Sequence, residues 1–273
     1  MTLNCKGNLI DLTTPKVMGI LNITPDSFYD GGKYKNEFEI LNQVEKMLSD
    51  GATFIDVGAY SSRPGAQHIS EEEELKRIIP VINLLQKNFP EIIISIDTFR
   101  SKVAIETVHA GAALINDISG GKMDDNMFAT VANLQVPYIL MHMLGTPQNM
   151  QKNPIYENVI TEIISFFAEQ IHKLHQLQLN DLIIDVGFGF GKTNIHNYEI
   201  LKNLALFKSL DAPILAGLSR KSMLYKTLDI SAQEALNATT SANTIALLNG
   251  ANMLRVHDVK EAVETIKIVA QIQ

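Results

Sequence analysis

Short apolar stretches recur along the whole chain, and nearly every one ends at a polar residue or a glycine before a longer amphipathic stretch begins. There are eight: VMGIL before Asn22, FIDVG ending at Gly58, IIISI before Asp97, ALI before Asn116 and Asp117, YILM before His142, LIID ending at Asp185, PILAGL before Ser219, and NMLRV before His257. Their apolar positions are continuous rather than alternating, which is typical of strands buried on both faces of a parallel sheet. We therefore predict eight parallel strands.

Helical patterns fill the intervals between these strands, most clearly over 39–48, 72–85, 102–109, 158–175 and 235–248. Ser70 and Ser101 stand where they could cap two of these helices. No linker or low-complexity segment interrupts the series. Eight strand and helix repeats favour an α/β chain folded as a (β/α)8 TIM barrel, a single domain over residues 1–273, rather than an open doubly wound sheet.

The segment LNCKGNLIDL precedes the first repeat. With a turn at Gly7 and Asn8 it predicts a short N-terminal β-hairpin. We expect this hairpin to cover the lower end of the barrel.

Composition and charge exclude several classes of protein. Of the 273 residues, 46% are hydrophobic and 19% are charged, which is normal for a globular protein with a sizeable core. The net charge of −7 leaves no electrostatic footprint for nucleic acid or an anionic membrane. A single cysteine, Cys5, excludes an internal disulfide. The stretch MTLNCKGNLIDLTTPK has no uninterrupted apolar core of signal-peptide length, and the sequence has no apolar run of about 18 residues. These features predict a cytoplasmic protein that binds neither nucleic acid nor a membrane.

Polar residues gather at or just after the ends of the predicted strands. They are Asn22, Asp97, Asn116, Asp185, Lys221, Arg255 and His257. A single such residue is usually a turn former or a helix cap, but the carboxyl ends of barrel strands converge on one face, where active sites lie. Seven polar residues from six predicted strands therefore predict a site.

The chemistry of this set points to a ligand with two different halves. The carboxylates of Asp97 and Asp185 and the amide of Asn116 can accept from and donate to the edge of a flat nitrogen heterocycle. Arg63, together with the cations at the strand ends, supplies positive charge in an acidic protein. A heterocycle that carries a phosphate or a pyrophosphate would use both halves.

The run NITPDSFYDGGKY, residues 22–34, combines oxygen ligands, hydroxyls, glycines and aromatic rings directly after the first strand. Asn22 offers a hard oxygen ligand for Mg²⁺, with Asp26 and Asp30 as flanking candidates. Taken alone, such a run is more often a turn with an Asx cap than a metal site. It is therefore either a connector or part of an active site.

Three local patterns resemble a phosphate-binding, a metal-binding or a pocket-lining motif, but the sequence favours a plainer interpretation of each. GFGFGKT at 187–193 lacks the first glycine of a phosphate-binding P-loop. His172 and His175 lie three residues apart on a helix without a further metal ligand in register, which favours an exposed surface pair. Met141 and Met143 flank His142; their alternation would turn one toward the pocket, although core packing is the better interpretation for either one.

Several motifs, in order, are similar to those of the dihydropteroate synthase family. They are MGILNITPDSFYDGG, IDVGAYSSRPGA, SIDTF, INDISGG, LMHMLGTPQNMQ, NPIYENV, IIDVGFGFGKT, GLSRKSML and LRVHDV. The resemblance covers residues 17–262 and implies a homodimeric barrel that uses Mg²⁺. It also implies that 6-hydroxymethyl-7,8-dihydropterin pyrophosphate reacts with p-aminobenzoate to give 7,8-dihydropteroate and pyrophosphate.

The resemblance assigns roles to individual residues. It implies that Asp97, Asn116, Asp185 and Lys221 hold the pterin, with Met141, Phe190 and Gly217 as further substrate contacts. Arg255 resembles the arginine that covers the ring and that grips the pyrophosphate and Mg²⁺ with His257 and Asn22. The start of the helix at Ser222 would receive the aminobenzoate carboxylate, since free N–H groups at a helix start favour anions.

The resemblance also implies two loops that close over the second substrate. These loops would use Phe28, Asp30, Ser62, Arg63 and Pro64, and Gly31 and Gly32 would act as hinges. Of all these residues, Asp97, Lys221, Arg63, Arg255, His257 and Asp30 are the predicted catalytic set.

The second loop departs from the family pattern. GAYSSRPGA stands where the family usually has Gly-Gly-Glu-Ser-Thr-Arg-Pro, so Ala59, Tyr60 and Ser62 replace a Gly, a Glu and a Thr. Ser62 keeps the hydroxyl but lacks the methyl group that would pack against an aryl ligand. We expect the activity to be retained, with the roles of Tyr60 and Ser62 open.

Three alternatives share parts of the same residue set. A pterin-binding methyltransferase that passes a methyl group from methyltetrahydrofolate to a corrinoid would need neither Arg63 nor the Lys221 and Ser222 pair. A catalytically inactive pterin-binding subunit would not need Asn22 or His257. An aldolase that uses Lys221 as a Schiff-base nucleophile should be trapped by borohydride.

Overall fold

The computed structural model describes residues 1–23, 32–61 and 68–272, with residues 32–36 described for the backbone only. The strands are β1 Thr2–Cys5, β2 Asn8–Asp11, β3 Lys16–Asn22, β4 Phe54–Gly58, β5 Ile94–Asp97, β6 Leu114–Asp117, β7 Tyr138–Met141, β8 Leu182–Asp185, β9 Ile214–Ala216 and β10 Met253–Val256. The helices are α1 Gly32–Ser49, α2 Glu71–Asn88, α3 Ser101–His109, α4 Met127–Leu134, α5 Val159–Gln176, α6 Asn194–Lys202, α7 Ser222–Leu228, α8 Leu236–Leu248 and α9 Val259–Val269. A 3₁₀ helix, Leu204–Leu210, lies between α6 and β9.

Strands β3 to β10 form a closed parallel barrel. Each pairs in parallel with its neighbour in sequence, and β10 closes the ring by pairing with β3. Helices follow the barrel strands in turn, which makes the fold a (β/α)8 TIM barrel and confirms the predicted fold class. All eight predicted strands are confirmed. Each barrel strand packs against the barrel interior on one face and against the outer helices on the other, so both faces carry apolar side chains.

The N-terminal hairpin closes the lower end of the barrel, as predicted. Leu3, Cys5 and Leu12 are buried against side chains near the starts of the strands, such as Phe54 and Met253. The position of the turn was wrong by one residue. Lys6 and Gly7 both have positive φ, at 54° and 88°, so they are the two central residues of the turn, and Asn8 already belongs to β2.

Two predictions at helix starts have different outcomes. Ser70 caps α2 by accepting from the Glu73 amide at 3.2 Å, as predicted. The predicted cap at Ser101 is wrong, because Ser101 is the first residue of α3 and its amide donates to Asp124 Oδ2 at 2.7 Å. A carboxylate from another loop thus takes the place of a local cap.

Helix α1 is longer than the apolar pattern predicted. It begins at Gly32, so the predicted range 39–48 covers only its later part. Within the described ranges, no helix combines the length and the apolar character needed to cross a membrane.

Candidate active site

The predicted polar side chains lie at one mouth of the barrel, because all eight strands run in the same direction. Asn22, Asp97 and Asp185 are the last residues of β3, β5 and β8. Asn116 and Arg255 each lie one residue before the end of a strand. Lys221 follows β9 after residues 217–220, and His257 follows β10 directly, so the structure brings the predicted polar residues together at one end of the barrel.

Arg255 joins two carboxylates across this mouth. Its Nε donates to Asp56 Oδ2 at 2.6 Å, and its Nη2 donates to Asp97 Oδ2 at 2.7 Å. Asn116 Nδ2 donates to the same Asp56 oxygen at 3.0 Å. These contacts fix the guanidinium beside Asp56 and Asp97, which we call the acidic side of the site.

Asp56 is a site residue that the sequence analysis missed. Its side chain is fully buried, and its Oδ1 has no hydrogen-bond partner among the described residues. Asp56 lies in the middle of FIDVG, and the sequence analysis assigned this segment to a strand without giving Asp56 a role. An ionisable residue inside an otherwise apolar run is the signal that could have found it, since buried carboxylates are rare unless they are paired.

Burial controls the ionisation of Asp97. Removal from water raises its pKa to about 7, with the Arg255 charge opposing the rise and Asp56 adding to it. A carboxyl group with this pKa exchanges a proton near neutral pH. Its charge therefore responds to what binds beside it.

Asp185 is held by the loop that follows it. Its Oδ1 accepts from the Gly187 amide at 2.8 Å. A side chain at Gly217 would begin 3.7 Å from the other oxygen, Oδ2, so glycine at that position keeps one approach to the carboxylate open. Burial raises the pKa of Asp185, while the Gly187 hydrogen bond and the Lys221 charge act in the opposite direction.

Lys221 is the residue directly before α7, and it is one of the cations of the site. Its ammonium lies 4.3 Å from the centre of the Phe190 ring, a cation–π distance. Burial lowers the pKa of Lys221 to about 8, with Asp185 opposing the shift and Arg255 adding to it. Ser222 is the first residue of α7, as the motif implied.

His257 is oriented by Ser219, a second residue that the sequence analysis missed as a functional group. Ser219 Oγ accepts from the His257 amide at 3.1 Å and lies 3.0 Å from its Nδ1. The hydroxyl and Nδ1 form a second hydrogen bond, and the tautomer of the imidazole decides which of the two is the donor. Burial and the Arg255 charge lower the pKa of His257, although part of the residue remains exposed.

Met141 and Met143 are both packed in an apolar cluster beside the mouth, each 2% exposed. The cluster also contains Tyr60, and Phe190 packs against it. This agrees with the core-packing interpretation of the two methionines. A substrate contact from Met141 stays a prediction.

The predicted loop residues Phe28, Asp30, Ser62, Arg63 and Pro64 lie outside the described residues, as do Asp26 and Gly31. Gly32 is the first residue of α1, and its role as a hinge stays a prediction. His172 and His175 are exposed on α5, in agreement with a surface pair.

The donor set fits a magnesium ion that is shared with a ligand. In the part of the chain that the structure describes, no group of three or more His, Cys, Asp and Glu side chains could hold a metal. Asn22, the last residue of β3, could contribute one amide oxygen. Mg²⁺ is commonly held by one or two protein oxygens together with waters and the phosphates of a substrate, and Asn22 suits that arrangement.

Comparisons with known proteins agree with this geometry. A model of the pterin binding enzyme family matches residues 18–257. Dihydropteroate synthase of Escherichia coli K12 is 42% identical over 271 residues, covering 98% of this chain and 95% of the relative. The chain belongs to the dihydropteroate synthase family. Enzymes of this family are transferases.

Solved structures of dihydropteroate synthases share the same fold. The Yersinia pestis enzyme in a sulfonamide drug complex superposes with a TM-score of 0.93 at 43% identity, covering 100% of this chain and 99% of that one. The Xanthomonas albilineans enzyme with 4-aminobenzoic acid gives a TM-score of 0.92 at 36% identity, covering 100% and 98%. The fold of these dihydropteroate synthases therefore matches this chain over its whole length.

Proposed function

We propose that the protein joins 6-hydroxymethyl-7,8-dihydropterin pyrophosphate to p-aminobenzoate, releasing pyrophosphate and 7,8-dihydropteroate. One observation carries the proposal. Acids that are buried or largely buried and cations that are partly buried occupy the same mouth, where Arg255 donates to two of the acids, Asp56 and Asp97. A heterocycle with an anionic leaving group needs both kinds of group within the length of one small molecule.

The acids recognise the pterin ring in this proposal. Asp185 and Asp97 accept from its ring N–H and amino groups, and Asn116 completes the set. Because all three side chains are largely removed from water, each unpaired polar contact with a wrong ligand would be costly. Lys221 supplies an N–H donor from the opposite side of the mouth.

The cations stabilise the departing pyrophosphate. The bond between the pterin methylene carbon and the phosphate oxygen breaks with its electron pair on the oxygen. The resulting carbon cation is delocalised into the electron-rich ring, so this dissociative route depends on stabilising the leaving group more than on a strong base. Arg255 and Arg63 supply positive charge, and His257, whose pKa is lowered, supplies a neutral ring N–H. A bound Mg²⁺ ion, with Asn22 as its protein ligand, would neutralise more of the negative charge.

The aryl amine then attacks the carbon to form the C–N bond, and the proton of the resulting ammonium passes to the pyrophosphate released in the first step. Asp97, with its pKa near 7, and Asp30 are placed in the proposal to offset the positive charge that develops on the ring. The p-aminobenzoate carboxylate would bind at Ser222 with its ring near Phe28, Phe190 and Pro64, and Ser62 beside it. Closure of the two loops would exclude water, which competes with the amine for the cation.

Release of pyrophosphate tests the proposal. With both substrates and Mg²⁺ present, we expect one pyrophosphate for each dihydropteroate formed, and chelation of the metal should slow the reaction. Incubation with either substrate alone should release far less. Equal release without p-aminobenzoate would indicate a hydrolase and would contradict the proposal.

We also propose that the protein acts as a homodimer. Helices α6, α7 and α8 pack on one another at the outer surface. They present exposed apolar side chains that are typical of a protein interface: Ile195, Leu228, Ile245 and Leu248. A second copy of the chain is the partner we propose for this surface.

A further inference from the structure

Lys192 is a buried lysine that the proposed mechanism does not use. It is 3% exposed and lies in the GFGFGKT segment that resembles a phosphate-binding loop without being one. Its Nζ lies 3.0 Å from His142 Nδ1, 3.2 Å from the His142 carbonyl oxygen, 3.1 Å from that of Gly187 and 3.0 Å from that of Phe190. All four acceptors therefore belong to the protein itself.

These acceptors come from two different loops. His142 follows β7, whereas Gly187 and Phe190 follow β8. The two backbones are in close contact, because a Cβ atom at Gly187 would lie only 2.0 Å from the His142 oxygen. Gly187 also has a φ of 68°, which favours glycine. Lys192 thus connects the loop after β7 with the loop after β8 by hydrogen bonds at the point where their backbones are in contact.

The loop that Lys192 fastens supplies two contacts to the candidate active site. The Gly187 amide donates to Asp185 Oδ1 at 2.8 Å, and the Phe190 ring lies 4.3 Å from the Lys221 ammonium. The carbonyl oxygens of both Gly187 and Phe190 are held by Lys192. A change at Lys192 would therefore reach an acid and a cation of the site at the same time.

We propose that Lys192 is a positioning residue for the pterin subsite: by holding the loop 186–191, it aligns the Asp185 carboxylate and the Lys221 ammonium for the ring. The proposal rests on the proposed function, since it assumes that a pterin binds these two side chains. Lys192 has no contact with substrate in it. Its effect is transmitted by the backbone of the loop.

The protonated form of Lys192 fits this set of acceptors best. An ammonium has three protons for the four acceptors, whereas a neutral amine has only two. Burial lowers the pKa of Lys192 to about 7, with Asp185 opposing the shift and Lys221 and Lys122 adding to it. Burial and the charge of Lys192 lower the pKa of His142 to about 2, which keeps its Nδ1 free to accept.

Substitution of Lys192 by methionine tests the proposal. Met keeps most of the apolar stem and removes every donor, so the loop loses its fixed position. In steady-state assays of pyrophosphate release we expect Lys192→Met to raise KM for the pterin substrate about tenfold. kcat per folded enzyme should change less than about twofold. General destabilisation would instead lower the active fraction without moving KM.

Lys202→Met is the matched control, because Lys202 is exposed in the last turn of α6 and the substitution is chemically identical. Its KM should equal that of the wild type. An unchanged pterin KM in Lys192→Met, in an assay where the wild type is active, overturns the proposal for Lys192. A wild type that forms no dihydropteroate overturns the proposed function instead, so the two failures are distinguishable.

A pair of substitutions at His142 carries the test if Lys192→Met does not fold. His142→Asn keeps an acceptor close to the position of Nδ1, whereas His142→Leu removes it. We expect the pterin KM to rise in His142→Leu and to stay near the wild-type value in His142→Asn. Equal KM values in the two variants would overturn the proposal.

Discussion

Replacing Arg255 by methionine should remove the contact between the acidic and cationic sides of the site. Arg255 makes two charge-assisted hydrogen bonds at 2.6 and 2.7 Å. Its side chain is 19% exposed, and those of its partners Asp56 and Asp97 are 0% and 16% exposed. Methionine preserves the aliphatic volume but leaves two carboxyl groups without a cation. Breaking a buried pair by removing one partner costs about 3–5 kcal/mol when the other charge stays unpaired.

The pH dependence of this loss follows from Asp97. In the wild type its pKa is raised to about 7, and the Arg255 charge limits the rise. Without Arg255 the folded-state pKa rises further, so the folded variant keeps a proton that the unfolded chain has already released. Because the unfolded state then binds fewer protons, the free energy of unfolding falls as pH increases through this window. The loss of stability should therefore be larger at about pH 8, where we expect about 3 kcal/mol, than at about pH 6.

Urea unfolding at both pH values measures this difference. Arg77→Met is the matched control, because Arg77 pairs with Glu73 at 2.7 Å on the surface of α2 in an i,i+4 arrangement. Such a pair contributes about 0.3–0.5 kcal/mol. The same Arg255→Met protein should release pyrophosphate roughly 30-fold more slowly, corresponding to about 2 kcal/mol of transition-state stabilisation. A stability loss no larger than that of Arg77→Met, together with a wild-type rate, would refute the reasoning.

Three further predictions concern pH, inhibition and assembly. The value of kcat/KM should fall above about pH 8, because burial lowers the pKa of Lys221 to about 8; Lys221→Arg should move this limb to higher pH, and an unmoved limb would assign it to another group. Sulfonamides should compete with p-aminobenzoate in steady-state kinetics, and an absence of inhibition at saturating drug would contradict the placement of the two loops. Ile245→Glu and Leu248→Glu should convert a dimer to a monomer in light scattering, whereas Leu9→Glu, on the exposed face of the hairpin, should not; a wild-type monomer would contradict the dimer proposal.

Much of the fold follows from the sequence because a barrel imposes one burial pattern on every strand. The apolar runs from β3 to β10 are continuous, and their polar ends mark the mouth. The turn of the hairpin could not be placed as reliably, since both Lys6 with Gly7 and Gly7 with Asn8 suit a two-residue turn. The cap of α3 was unpredictable locally because Asp124, its actual partner, lies more than twenty residues away.

The sequence predicted the site residues that stand out at the ends of strands. It did not predict the residues whose role is to hold another side chain of the site. Asp97, Asp185 and Arg255 stand out because each interrupts or ends an apolar run. Asp56 is hidden within such a run, and the role of Ser219 depends on His257, which is 38 residues away. Contacts of this kind arise only when separate strands meet in the closed barrel.

The central claim is that the pterin ring and its pyrophosphate are bound at a single mouth by opposite kinds of charge. A crystal structure with 6-hydroxymethylpterin pyrophosphate tests it most directly. The account predicts the amino edge of the ring on Asp185 and the pyrophosphate oxygens beside Arg255 and His257. A ring bound away from Asp185, or a pyrophosphate group out of reach of Arg255, would contradict it.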